Sequence, residues 1–166
     1  SVTVAAQPEV FLAKDDFERT VATGWGSAPT GGAWNATTGF SVADGVGKAT
    51  LSAGQTRTNI LTGVSAQNVD AKAVFSSDVV ANGGGLHMNY LVHKTSAGDY
   101  RLKLRISSAG VVTVSLAKVV GTTETLIVNR TLTGYTHTAG GKLQLRIQAV
   151  TDAGVTTLKG KVWADG

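Results

Sequence analysis

From residue 100 onward the chain alternates apolar and polar side chains with a period of two, and that pattern specifies β-sheet. Tyr100, Leu102, Leu104 and Ile106 fall on one side, while Arg101, Lys103 and Arg105 fall on the other. Such a run has one face for a core and one for water. A turn at 107–110 leads into residues 111–120, rich in β-branched side chains, and Gly121-Thr122 gives the next reversal. Residues 123–132 follow, with Leu126, Val128 and Leu132 on one face. Three strands joined by short turns predict an antiparallel meander. After Gly140-Gly141 the alternation resumes over 142–150. Leu143, Leu145, Ile147 and Ala149 point one way and Gln144, Arg146 and Gln148 the other, before a turn at 151–154 and a last strand at 156–163.

The first hundred residues give shorter strands, at 10–13, 40–42, 48–51, 57–61, 69–76 and 86–93, and no amphipathic helix of ten or more residues is legible. Eleven or twelve strands at this spacing predict an all-β fold, a two-sheet antiparallel β-sandwich. With 166 residues, 42% hydrophobic content, 21 Gly and 2 Pro, the chain can build one substantial core. The expected organisation is an N-terminal extension or linker at 1–9 and a single β-sandwich domain over 10–166.

Cysteine is absent, which excludes disulfides and thiolate metal sites. No apolar run approaches the length of a membrane span, so membrane insertion is not expected. Charge is unevenly placed: residues 1–100 carry 6 basic and 8 acidic groups, and residues 101–166 carry 9 basic and 3 acidic. A basic half suits an anionic partner; it equally suits a solvated strand face kept soluble by Lys and Arg.

Residues 15–34 place Trp25 and Trp34 in a Gly-rich loop without strand periodicity, behind an acidic knot of Asp15, Asp16 and Glu18. Tryptophans in a loop either pin it to a core or offer a flat apolar platform to a sugar. The acids either cap a turn and pair with Arg19 or Lys14, or hold a structural calcium ion near Asp15 and Asp16 with backbone carbonyls. No other cofactor is expected.

Reaction chemistry is not legible. His87 and His93 sit six apart on one expected strand, about 20 Å along the same face by strand rise, too far for one metal. No Gly-x-Ser-x-Gly elbow exists, and no pair of acids is spaced on a strand for glycoside hydrolysis. Binding is the better expectation. The outward rows His87, Asn89 and His93, then Arg101, Lys103 and Arg105, then Gln144, Arg146 and Gln148, would form one polar surface if their strands are neighbours. Nucleic acid is not expected, because the Arg101–Arg105 face has no stacking aromatic.

Asp15-Asp16-Phe17-Glu18-Arg19-Thr20, followed by Gly24-Trp25-Gly26 and Gly31-Gly32-Ala33-Trp34, resembles the opening of concanavalin A-like (laminin-G-like) jelly-roll modules. These occur in secreted actinobacterial proteins and in tail proteins of phages that infect actinobacteria. Phe40-Ser41-Val42, Asp99-Tyr100-Arg101-Leu102-Lys103-Leu104-Arg105 and Leu158-Lys159-Gly160-Lys161-Val162-Trp163 extend the resemblance to residues 14–163. It implies a non-enzymatic module at a virion surface or outside the cell, as a phage tail or capsid decoration protein. Its partners would be a glycan or cell-surface polymer, virion proteins, or copies of itself. A carbohydrate-binding module of a secreted protein and a structural oligomerisation domain are the alternatives. Modules of this type continue past Val162-Trp163 into another strand. The expectation is therefore that this strand is missing, is replaced by residues 1–7, or leaves an open edge.

Overall fold

The computed structural model describes residues 9–164, which form strands and turns with no helix among them. The chain is all-β, as the alternation requires. It divides into two compact units, one ending at Ser65 and the other beginning at Ala66.

The first unit is built from two small ribbons, β1 (Ser27–Ala28) with β2 (Gly32–Ala33) and β3 (Phe40–Ala43) with β4 (Val46–Ala49). The β3–β4 reversal is a two-residue turn with Asp44 and Gly45 both at positive φ (59° and 69°), a backbone that Asp tolerates and Gly favours. Two expected strands are not strands. Residues 10–13 are exposed and join no sheet. At 57–61 side-chain amides take the place of a ladder: Asn59 Oδ1 accepts from Ala36 N at 2.9 Å and Asn35 Oδ1 from Ile60 N at 3.0 Å. The ribbon β1–β2 lies inside the tryptophan loop, where two-residue strands are too short to show a period.

The second unit is a β-sandwich. One sheet has the order β6-β7-β8-β9: β6 (Leu86–Val92), β7 (Gly98–Ile106), β8 (Val112–Val120) and β9 (Thr123–Thr131). The other has the order β11-β10-β5: β5 (Val69–Ser76), β10 (Lys142–Asp152) and β11 (Val155–Ala164). All pairings are antiparallel. The apolar rows read from the sequence meet between the sheets. Leu102, Leu104, Ile106 and Val112 pack in one buried cluster with Leu143, Leu145, Ile147 and Ala149.

The two long margins of the sandwich differ. At the β5/β6 margin the Tyr90 hydroxyl donates to the Lys72 carbonyl at 3.0 Å, and burial pushes that phenol up to about 12. At the β9/β11 margin the sheets part into an open cleft of about 370 Å³ lined by Leu116, Val128, Gly160 and Val162. Gly160 faces inward there, and a Cβ on it would stand 2.9 Å from Leu116 Cδ2 and 3.0 Å from Leu102 Cδ1, so its bare backbone lets the sheets close at the cleft floor. β9 is irregular: Leu116 pairs with Val128 but Ala117 with Leu126, leaving Ile127 as the extra residue of a bulge. The expected final strand and the 1–9 extension fall almost wholly outside the described residues; β11 pairs with β10 alone.

Candidate functional site

In the first unit the acidic knot and the tryptophans form one interlocked structure. Asp15 is buried, and its carboxylate accepts from Arg19 Nη1 and Nη2 at 2.8 Å each, from Trp34 Nε1 at 2.7 Å and from Phe17 N at 2.9 Å. Burial pushes the Asp15 carboxyl up, but these donors outweigh it and hold it below the ordinary carboxylate range. The Arg19 guanidinium thus sets a positive charge directly against this carboxylate. Asp16 lies outside this knot, exposed. Among the described residues, no three His, Asp or Glu stand close enough to share a metal.

Trp25 packs edge-on against Trp34, Phe40 and Phe17, with ring centres 4.8, 5.1 and 5.4 Å apart. Its indole N–H donates to the Lys48 carbonyl at 2.9 Å. Both indole donors are thus used inside the unit and both rings have aromatic neighbours, the geometry of a pin rather than a platform. Phe17 sits at φ 58°, and a Cβ on Gly47 would fall 2.6 Å from its ring, so glycine is what admits that ring. A shallow polar depression of about 400 Å³ lies on the same unit, edged by Asn35, Thr37, Thr38, Thr56 and Thr58. No sequence pattern marks it, because its residues come from two aperiodic segments.

In the second unit the register brings the first two expected rows together. His87 pairs with Arg105, Asn89 with Lys103 and Leu91 with Arg101. β8 and β9 continue two of these rows with Thr113 and Thr131, and with Ser115 and Asn129. Ser115 Oγ meets Asn129 Oδ1 at 2.9 Å. Arg101 and Lys103 of this face are answered locally by acids, while Arg105 donates to the Gly84 carbonyl at 3.2 Å. Asp99, buried, accepts from Arg101 Nε at 2.5 Å and pairs with Lys94 at 3.4 Å, while Glu124 takes Arg101 Nη1 at 3.3 Å and also pairs with Lys103. Burial raises the Asp99 carboxyl, yet Arg101 and Lys94 draw it below its usual range.

His93 does not join the row. The strand ends at Val92, and His93 turns away at φ 51°, its ring 5.8 Å from Tyr100. Gln144 and Arg146 do not join it either. They lie on the outer face of the other sheet, because β10 pairs with β5 and β11 rather than with β6 or β9. There Arg146 Nε donates to Asp70 Oδ1 at 2.8 Å and Gln148 to Asp70 Oδ2 at 3.0 Å, and the guanidinium holds the Asp70 carboxyl down at about 2.

No described helix is long and apolar enough to cross a membrane. Comparison with known proteins finds no matching family model, no matching curated protein and no matching solved structure.

Proposed function

We propose that this chain is a non-enzymatic, surface-displayed jelly-roll module that adheres to glycans. The observation that carries the reading is the outer face of the sheet β6-β7-β8-β9. Adjacent strands there present an imidazole, two amides and two hydroxyls (His87, Asn89, Asn129, Thr113, Thr131) around Arg101 and Lys103, which are already paired with Asp99 and Glu124. A surface of planar polar groups around paired charges suits a neutral polyhydroxyl ligand, which needs directional hydrogen bonds rather than a net field. The resemblance of residues 14–163 to modules of secreted actinobacterial and phage tail proteins supports display on a virion, as a tail or capsid decoration. The same resemblance also fits a carbohydrate-binding module of a secreted protein.

The reading in which an open sheet edge pairs copies of the chain has less support. β9 carries a bulge and turns Arg130 inward beside Val114, and β11 carries Lys159 and Lys161; these devices discourage edge-to-edge pairing.

A glycan array probed with the folded protein tests the proposal. His87→Ala with Asn89→Ala, on an exposed edge strand, is expected to weaken any hit at least tenfold, and Trp25→Phe to leave it unchanged. Absence of any hit, or loss through Trp25→Phe alone, would sink the assignment to this face.

A further inference from the structure

The two outer faces of the sandwich are electrically unlike. On the sheet β11-β10-β5 the register sets Lys72, Arg146 and Lys161 side by side across all three strands. The next row is Asp70, Gln148 and Lys159, and the row on the other side is Val74, Gln144 and Trp163. Directly opposed positions on neighbouring strands lie about 4.8 Å apart, and successive same-face positions along a strand about 7 Å apart. Cations at those separations lie within a Debye length and repel, and like charges directly opposite weaken a sheet. Lys142 adds a fifth cation, and the face holds two carboxylates, Asp152 beside the β10–β11 turn and, within these rows, Asp70. The Asp70 carboxylate is committed to Arg146. Among the described residues Lys72, Lys159 and Lys161 have no ion-pair partner; Lys161 instead rests over the Trp163 ring, 4.9 Å from its centre.

Solubility alone does not call for this arrangement, since on the other face of the same unit Arg101 and Lys103 are each paired with an acid, Asp99 or Glu124. A self-repelling row across three strands is what a surface looks like when its counter-charges come from outside. We infer that the outer face of β11-β10-β5 binds a linear phosphodiester-linked polyol chain, whose recurring phosphates sit on Lys72, Lys159 and Lys161 beside Trp163. A chain is favoured over a single anion because the cations form a lattice across the sheet rather than a pocket. A polyol backbone is favoured over a nucleic acid because the face offers one aromatic ring, where consecutive bases would need several. Gln148 adds an amide for hydroxyls. The inference concerns a different face from the neutral-sugar reading and stands or falls independently of it.

The experiment uses the full chain with a fluorescently labelled poly(glycerol phosphate) oligomer, followed by anisotropy from 20 to 300 mM salt. Binding is expected to weaken with salt along a straight log–log line, as counterion release requires. Lys72→Gln/Lys159→Gln/Lys161→Gln should cost at least tenfold in affinity and flatten the salt slope by about 2, at roughly 0.7 for each lost phosphate contact. Lys103→Gln/Arg105→Gln, on the other face, should change affinity less than twofold. Because the triple variant removes repulsion, its unliganded thermal midpoint should match or exceed that of the parent, which separates lost binding from lost folding. No binding at 20 mM salt, equal loss in both variants, or equal affinity for polyglutamate would overturn the inference. Tighter binding of an oligothymidylate with the same number of phosphates would also overturn it, and would assign the face to single-stranded nucleic acid.

Discussion

Asp15 shows how much one side chain can organise. Its two oxygens tie together Arg19, the indole of Trp34 and the backbone of Phe17, so the stretch 15–19 and the segment bearing Trp34 meet at a single buried carboxylate. Asp15→Ala leaves the guanidinium without its partner and should destabilise that unit by about 3 kcal/mol, read from denaturant unfolding followed by tryptophan fluorescence. Because the folded-state pKa is depressed, the contribution of Asp15 is complete above the unfolded value of about 4 and is lost as pH falls through the folded one. Chelation by EDTA should leave the thermal midpoint where it was, since Arg19 occupies the cationic role; a drop of several degrees would restore a calcium ion to the knot. A second residue-scale test lies at the β10–β11 turn, where Ala153 holds φ 46°. Ala153→Gly should raise stability by about 0.5–1 kcal/mol, because a left-handed backbone costs an alanine and not a glycine.

Among the elements, the long strands and the meander β7-β8-β9 were legible, and the partners distant in sequence were not. Alternation at Leu102–Ile106 and Leu143–Ala149 named the inner rows correctly, since a half-buried strand must alternate. Nothing in the alternation of β10 says that it pairs with β5, a contact made across 66 residues of sequence at Lys142 and Ser76 and across more further along the strand. That is why Gln144 and Arg146 were expected beside His87 and instead face away from it on the other sheet. The short ribbons of the first unit escaped for a different reason: two or four residues are too few for a period, and at 57–61 asparagine side chains satisfy the backbone that a ladder would have satisfied. The inward Gly160 sets how closely β11 approaches β8. Gly160→Ala should cost about 1–3 kcal/mol by overpacking against Leu116 and Leu102, and Leu116→Val in the same chain should recover part of it. If the single substitution is neutral by urea unfolding, the sheets do not close at that point.

For the sandwich unit taken whole, stability and charge are coupled. Screening relieves the repulsion among Lys72, Arg146 and Lys161, while the ion pairs at buried Asp99 are less accessible to salt. Raising salt from 20 to 500 mM should therefore lift the midpoint of this unit by about 2–4 °C, and Lys72→Gln/Lys161→Gln should remove most of that rise in a calorimetric scan. A midpoint that falls with salt would mean that the paired face dominates.

The same imbalance has a kinetic consequence. With more unpaired cations on one face than on the other, the sandwich carries a permanent electrical polarity. Near any negatively charged surface it experiences a torque before it experiences contact. It would arrive one way up, with Trp163 leading and the opposite face turned outward, free to engage a second ligand.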